Sequence, residues 1–516
     1  MQATTLKVNI GQQPVQLTYD GEGLRIEGDT TAVKRPKPSR ACFCIPLPGG
    51  KSSDPLLLPI QNLNILNVEL LDTNLFRISA LIPDNPAEDE STVKLYNLAY
   101  SVDPELAKEA REFSSAIMNE VYKDVAPGKR IKVLINPFGG QGKAKTIYER
   151  QVKPVFEAAK CVMDVQFTER HGHAIDIAKE INIEKFDSIV TVSGDGVIHE
   201  VINGFLQRPD AREAIRKLPL GVIPGGTGNA LSISLLGEKA GFDPQYTALQ
   251  VIKGKPMTFD LCSVTYADHR YFSFLSQNYG ITAYADLGTE HMRWMGDART
   301  IVGLLQQIFG KRTYSMEASF DVIESDKSKI AADYHTAYNR SEEPKVIDEN
   351  APTGEVIDSI PPLSEPVPET WTTVNGDISV FLTSKVPWLA RGMLSHPYCM
   401  PNDGLLDLML IKKGASVGKQ LDVFTKLETG KHISNDIVSI EFAQYDIMTC
   451  INLFVGQIDY YKVKAFRLTP ISKPSEKKNY VAIDGEHSPV KPFQVEVHPC
   501  LGAVLSLEGR YRPTSN

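Results

Sequence analysis

The first hundred residues alternate apolar and polar positions with the period of two expected of strands. Leu6–Ile10, Val15–Tyr19 and Leu24–Ile26 are short runs of this kind, separated by Gly, Gln and Asp, and Ile65–Leu70, Leu75–Leu81 and Val93–Val102 repeat the pattern. The period then lengthens. Leu106, Ala110, Phe113, Ile117 and Val121 fall on one face of a helix over Asp103–Lys123. From 130 to 256 the two periods interleave. Apolar runs at Ile131–Ile135, Val162–Thr168, Ser188–Val192 and Gly221–Ile223 predict strands. Helical spacing fills Ala144–Ala159, His173–Ile181, Val197–Leu206, Ala230–Leu236 and Gln245–Lys253. Such alternation predicts a parallel sheet with helices on both faces. Beyond 257 strands return, at Met257–Thr265, Tyr271–Tyr279, Asp377–Thr383, Gly404–Ile411, Val438–Gln444, Lys462–Leu468, Tyr480–Ile483 and Gln494–Pro499, with one helical stretch near Ala285–Phe309.

The fold class is therefore α/β plus all-β, in three units. Residues 1–127 form a β-rich extension ending in a helix, 128–256 an α/β domain, and 257–516 an antiparallel β domain. Two readings of the extension stay open: a small lipid-binding barrel of the pleckstrin-homology type, or a β-extension packed on the core. Residues 325–370 are poor in aromatics and rich in Glu, Asp, Ser and Pro, which predicts an exposed, disordered insertion.

Composition narrows the function. A formal net charge of −8 removes the electrostatic case for a nucleic-acid partner. The seven cysteines lack paired metal or disulfide spacing, which fits a reducing, cytoplasmic setting. No run approaches the ~18 apolar residues of a membrane span, so contact with a membrane surface is expected to be peripheral. Cys42 and Cys44 lie between a basic stretch, Lys34–Arg40, and an apolar one, a pattern compatible with S-acylation or with ordinary buried thiols.

Three predicted strands of the α/β domain end in glycine-rich turns: Pro137-Phe138-Gly139-Gly140-Gln141-Gly142-Lys143, Ser193-Gly194-Asp195-Gly196, and Pro224-Gly225-Gly226-Thr227-Gly228-Asn229. Glycine lets backbone N–H groups approach a polyphosphate, and phosphate sites belong at the C-terminal ends of parallel strands. None of the turns is a P-loop or a dinucleotide fingerprint. Each alone is an ordinary tight turn, and Asp195 alone an Asx turn or helix cap. Together they describe one triphosphate site with a carboxylate poised as base.

The combination of Asn136–Lys143, Thr168-Glu169-Arg170-His171-Gly172-His173-Ala174, Ser193–Gly196 with His199–Gly204, and Pro224–Ala230 resembles the diacylglycerol kinase catalytic family, and within it the sphingosine (long-chain base) kinases, including fungal ones. The likeness covers roughly 128–324 and 375–510. It implies a nucleotide-binding α/β domain followed by an antiparallel β-sandwich that holds the lipid, with Mg·ATP in the cleft and a sphingoid base as substrate. By the resemblance, Asn136–Phe138, the glycines of the first and third turns with Thr227 and Asn229, Thr168–Gly172, Arg293, Arg299 and Asp484-Gly485-Glu486 meet the nucleotide. Asp195 is the catalytic group; Ser193, Gly194, Gly196, Ser276 and Asp286 meet the acceptor. Phe138 departs from a position often basic in relatives. Asp484 is a candidate Mg²⁺ ligand. His199 and Glu200 are adjacent on a helix and face apart, which argues against a zinc pair.

Asp286 follows the apolar and aromatic segment Tyr271–Tyr284, where a carboxylate needs a cationic partner, such as a sphingoid amine. A helix cap is the alternative. Ile301, Val302, Leu304, Leu305, Ile308 and Phe309 at helical spacing fit either core packing or a gate over an acyl slot. The competing functions are a diacylglycerol or ceramide kinase of the same fold, an NAD kinase, and a non-catalytic lipid sensor.

Overall fold

The computed structural model describes residues 3–28, 59–72, 74–84, 92–139, 142–226, 228–295, 298–339, 354–413, 416–433, 458–471 and 479–514. Gly140, Thr227, Cys42, Cys44 and the expected strand Val438–Gln444 lie outside these residues.

The chain opens with strands β1 (Thr4–Ile10), β2 (Gln13–Tyr19), β3 (Gly23–Glu27), β4 (Ile60–Gln61), β5 (Ile65–Leu70), β6 (Leu75–Pro83) and β7 (Val93–Ser101), then helix α1 (Ala107–Val121). The strands pair antiparallel in the order β4-β3-β2-β1-β7-β6-β5. Alternate residues of β2 (Val15, Leu17, Tyr19) are buried, which is why the period of two was readable there.

Four parallel strands follow: β8 (Arg130–Ile135), β9 (Val162–Phe167), β10 (Ser188–Ser193) and β11 (Leu220–Pro224), in the order β9-β8-β10-β11. Helices α2 (Ala144–Ile147), α3 (Lys153–Ala158), α4 (His173–Glu180), α5 (Asp195–Leu206), α6 (Ala211–Lys217), α7 (Ala230–Leu236) and α8 (Pro244–Lys253) fill the connections. The remaining elements are β12 (Lys255–Thr265), β13 (Arg270–Ser273), β14 (Ser276–Gly280), α9 (Ile281–Ala283), α10 (Ala298–Phe309), β15 (Tyr314–Glu324), α11 (Lys327–Asn339), β16 (Thr372–Ser384), β17 (Trp388–Ala390), β18 (Met393–Leu394), β19 (Leu406–Lys412), α12 (Val417–Lys426), β20 (Ile458–Ile471), β21 (Val481–Ile483), β22 (Glu486–Ser488) and β23 (Phe493–Ser506). Pairing among these strands is antiparallel, but they are not a separate sheet. β23 lies beside β11 in parallel through Leu220 and Val504, so one hydrogen-bonded sheet runs from the α/β region into the second half.

Two expectations change. The acidic insertion is not disordered at its ends. Lys327–Asn339 is a helix that buries Ile330 and Tyr334, and Asp358 is bound by Ser263 Oγ (2.7 Å), Thr265 Oγ1 (3.1 Å) and the Arg270 guanidinium. Composition misled because a few well-placed contacts outweigh a polar average. The helical stretch after 284 is also interrupted: short turns cover Tyr284–Gly288 and Glu290–Met295 before α10 begins.

The N-terminal sheet shares one apolar core with α3 and α8. Polar contacts cross the same boundary. Asp243 Oδ2 accepts from Val93 N (2.7 Å) and Gln245 Oε1 from Leu95 N (2.9 Å). Lys253 Nζ donates to Val121 O at 2.9 Å and lies 3.4 Å from the centroid of the Tyr122 ring. Burial pushes the Lys253 ammonium down to about 7. In the second half a buried network ties strand ends together: Lys385 bridges Asp260 and Asp403 at 2.8 Å each, and Lys462 bridges Asp403 (3.0 Å) and Asp407 (2.7 Å).

Candidate active site

The three glycine turns leave neighbouring strands at one level. Val192 pairs with Ile135 of β8 and with Ile223 of β11, so the turns after 135, 193 and 224 emerge side by side. They also touch. A Cβ on Gly226 would sit 2.7 Å from the Gly194 Cα, and one on Gly225 would sit 3.0 Å from Ser193 N, approaches that only glycine allows. Gly225 N donates to Ser193 O at 2.8 Å, and Asn229, at φ 51°, ties the third turn by donating from Nδ2 to Gly226 O at 2.6 Å.

In the first turn Asn136 Oδ1 accepts from Phe138 N (3.0 Å) and Gly139 N (3.2 Å), and Gly142 takes φ 72°. Phe138 is 76% exposed. The Thr168–Gly172 segment stands beside this turn because Phe167 pairs with Ile135. Glu200 holds it: Oε1 accepts from Gly172 N (2.9 Å) and Oε2 from Ala174 N (3.1 Å) at the start of α4. Arg170 is ion-paired with Asp176 at the surface, and His171 and Glu169 are exposed.

Asp195 begins α5 with its carboxylate buried against the start of α7. Oδ2 accepts from Ala230 N (2.8 Å) and Oδ1 from Leu231 N (3.3 Å). Burial lifts its pKa to about 6 against those two amides, and the nearby Asp484 charge adds to the rise.

Asp484 is placed differently. Its Oδ1 accepts from Ser273 Oγ, Leu275 N (3.0 Å) and Ser276 N (2.9 Å), and its Oδ2 from Phe274 N (3.0 Å), with His199 Nδ1 at 2.9 Å. These bonds occupy the carboxylate. They join α5 to the β13–β14 turn and fix Ser276, which is buried. The carboxylates of Asp484, Glu486 and Glu200 hold the His199 imidazole above its ordinary pKa although burial opposes them. Asn203, one turn further along α5, bonds Phe272 at both its backbone N (2.8 Å) and O (2.8 Å). Gly204 completes the helix contact, since a Cβ there would meet Ile175 O at 2.4 Å.

The turn that follows Asp484 links the two halves of the site. A Cβ on Gly196 would lie 3.1 Å from Glu486 Oε1, and one on Gly485 would lie 3.7 Å from Asp286 Oδ2. The Gly485–Glu486 turn thus touches the start of α5, next to Asp195, and the Asp286 carboxylate. Asp286 keeps 37% of its side chain accessible while sitting deep among protein atoms, which lift its pKa to about 6. Arg299 opposes that rise: its Nη1 donates to Asp286 O (2.8 Å) and its Nη2 lies 3.7 Å from Asp286 Oδ1. Arg299 thus lies against Asp286, between the carboxylate and the start of α10. The Arg293 side chain lies outside the described residues.

The sequence reading did not see that His199, Glu200 and Asn203 are the fasteners of the site. The available signal was their spacing on α5, which aims adjacent residues at different neighbours. For Asp484 the signal was an aspartate before a glycine, here at φ 51°.

Comparison with known proteins agrees with this geometry. The family model described as diacylglycerol kinase catalytic domain matches residues 130–264. Sphingoid long chain base kinase 4 of Schizosaccharomyces pombe is 35% identical over 396 residues, covering 77% of this chain and 79% of that one. Sphingosine kinase 1 of Arabidopsis thaliana is 31% identical (74% and 73% covered), and sphingosine kinase 1 of Homo sapiens is 31% identical (72% and 89% covered).

Proposed function

The chain belongs to the sphingoid long-chain base kinase family, and from that premise we propose how it passes the γ-phosphoryl group of ATP to the primary hydroxyl of a sphingoid base. The observation that carries the reading is the meeting of the aligned glycine turns with the Gly485–Glu486 turn, which touches both the start of α5 beside Asp195 and the Asp286 carboxylate.

The amides of the glycine turns and the start of α5 receive the phosphate oxygens. The acceptor hydroxyl lies against Asp195. An alcohol is a far weaker acid than a carboxyl group, so Asp195 orients it and accepts its proton late, as the new O–P bond forms and the β–γ bond breaks. ADP leaves with the bridging oxygen. Asp286 attracts the protonated amine, and Ser276, fixed by Asp484, lines the same wall. A diacylglycerol has no charge for Asp286 to meet.

Mg²⁺, which would neutralise charge on the transferring group, needs oxygen ligands with free lone pairs. Asp484 does not fit that role, because its oxygens are taken by the chain's own donors. Glu486, exposed beside Gly196, fits it. The alkyl tail of the base is held among the apolar strands of the second half, with the enzyme visiting a membrane surface to collect it; no helix among the described residues is long and apolar enough to cross one.

The test is a lipid panel with labelled ATP and Mg²⁺. Sphinganine is expected to be phosphorylated far faster than diacylglycerol or ceramide. Equal or faster turnover of either neutral lipid would remove the amine-binding role of Asp286.

A further inference from the structure

The wall that carries Ser276 and Asp286 holds two more polar groups that the mechanism does not use. Asn278 lies two residues after Ser276 on the same face of β14, and its Nδ2 donates to Ser276 Oγ at 3.3 Å. Thr282 lies four residues before Asp286, on the same side of the helical turns that follow β14. Both residues are only 8% exposed. Yet Asn278 Oδ1 and Thr282 Oγ1 have no hydrogen-bond partner.

That arrangement is costly. A buried acceptor or hydroxyl without a partner destabilises the fold, and most buried polar groups are satisfied. Their surroundings are otherwise apolar: Ala283, Leu287 and Ala482 form a small core beside them, and Ala482 pairs with Asn278 across the strands. An alkyl side chain at either position would leave no such orphaned atom. The two orphaned polar atoms stand between Ser276 and Asp286 in the chain, on the wall that the proposed substrate head group meets.

We propose that Asn278 and Thr282 recognise the secondary hydroxyls of the sphingoid base, borne on the two carbons that follow the amine-bearing one, and so make the kinase selective for hydroxylated bases. The inference rests on the sphingoid-kinase reading. Asn278 Oδ1 can only accept, so a substrate hydroxyl donates to it. The Thr282 hydroxyl both donates and accepts. A base with one secondary hydroxyl satisfies one of the two atoms and a base with two satisfies both. A site built to bond a hydroxyl rejects the analogue that lacks it, because its own group is then left unpaired.

Three bases test this with the full chain: 3-deoxysphinganine, sphinganine and 4-hydroxysphinganine. Each added hydroxyl is expected to raise kcat/KM by roughly tenfold, the scale of leaving one buried group unpaired. Thr282→Val keeps the shape and removes the hydroxyl. It should lower kcat/KM for 4-hydroxysphinganine, which satisfies both atoms, by about tenfold more than for the 3-deoxy base, while Tm stays level or rises. Asn278→Leu should compress the same series, and it guards against Thr282 acting alone. A series that runs flat in the wild type, or keeps its spread in both variants, overturns the proposal. So does a fall in Tm for Thr282→Val with the spread intact, which would make the hydroxyl structural. Failure to phosphorylate any of the three bases would instead sink the sphingoid-kinase reading itself.

Discussion

Asp195 and Asp484 occupy the same cleft, close enough to feel each other's charge, and are opposites. Asp195 takes two backbone amides and keeps lone pairs to spare. Asp484 takes a hydroxyl, three amides and an imidazole, and keeps none. Proximity to a phosphate site therefore does not define a reactive carboxylate. The number of donors already committed to it does. In the proposed mechanism the first is the aspartate that meets the acceptor, and the second ties the strands and helix around it together.

The sharpest way to break the comparison is Asp195→Asn. Turnover should fall by roughly 10²- to 10⁴-fold, the range for removing a positioned base, while ATP still binds and Tm falls less than for Asp484→Asn, because one amide donor is left facing the new NH₂ instead of several. Near-normal turnover would show Asp195 to be a cap and nothing more. Asp484→Asn should act the other way round. An amide NH₂ facing the chain's donors costs about 2–5 kcal/mol, so Tm drops by several degrees and activity falls with it. If Tm held and only the Mg²⁺ requirement rose, Asp484 would be a metal ligand after all. Gly204→Ala, which forces a methyl into Ile175 O, should cost about 1–3 kcal/mol by overpacking and slow turnover through the α4–α5 contact. A stability unchanged in thermal melts would mean that contact is looser than described.

The smallest effect is on pH. Both Asp195 and Asp286 are lifted to about 6, so kcat/KM should fall as pH drops below 6, with a slope approaching two protons. Asp286→Asn should reduce it to one. The sign for stability is opposite. A carboxyl whose folded pKa is raised holds its proton where the unfolded chain has lost it, so its contribution to stability is present at acid pH and is lost as pH rises from about 4 through 6. Asp195→Asn should therefore melt relatively better at pH 7 than at pH 4.

The glycine turns were legible because both their parts are local: an apolar run and the glycines that end it. Asp195 was legible for the same reason. The fasteners were not. The partners of Asp484 sit at 199 and 273–276, and only the meeting of α5, the β13–β14 turn and β21 explains them. The buried Lys385–Asp260–Asp403–Lys462–Asp407 network is scattered along the chain in the same way and reads from sequence as ordinary charged residues. The bond from Arg299 to the Asp286 carbonyl was hidden in the same way, because it spans 13 residues and an interrupted helix. The acidic insertion hid a helix because two anchors, Ile330 and Tyr334, are too few to mark a pattern.

The ammonium of Lys253, seated on the last carbonyl of α1 and the face of Tyr122, carries one more implication. It grows from α8, in the nucleotide half, yet everything it rests on belongs to the N-terminal sheet unit. Trimming the chain at residue 127 would strip that cradle away and bare a charge that the remaining half was shaped to hide. The front portion is thus packed into the body of the enzyme, under the starting ends of the parallel strands, and is not an appendage to it.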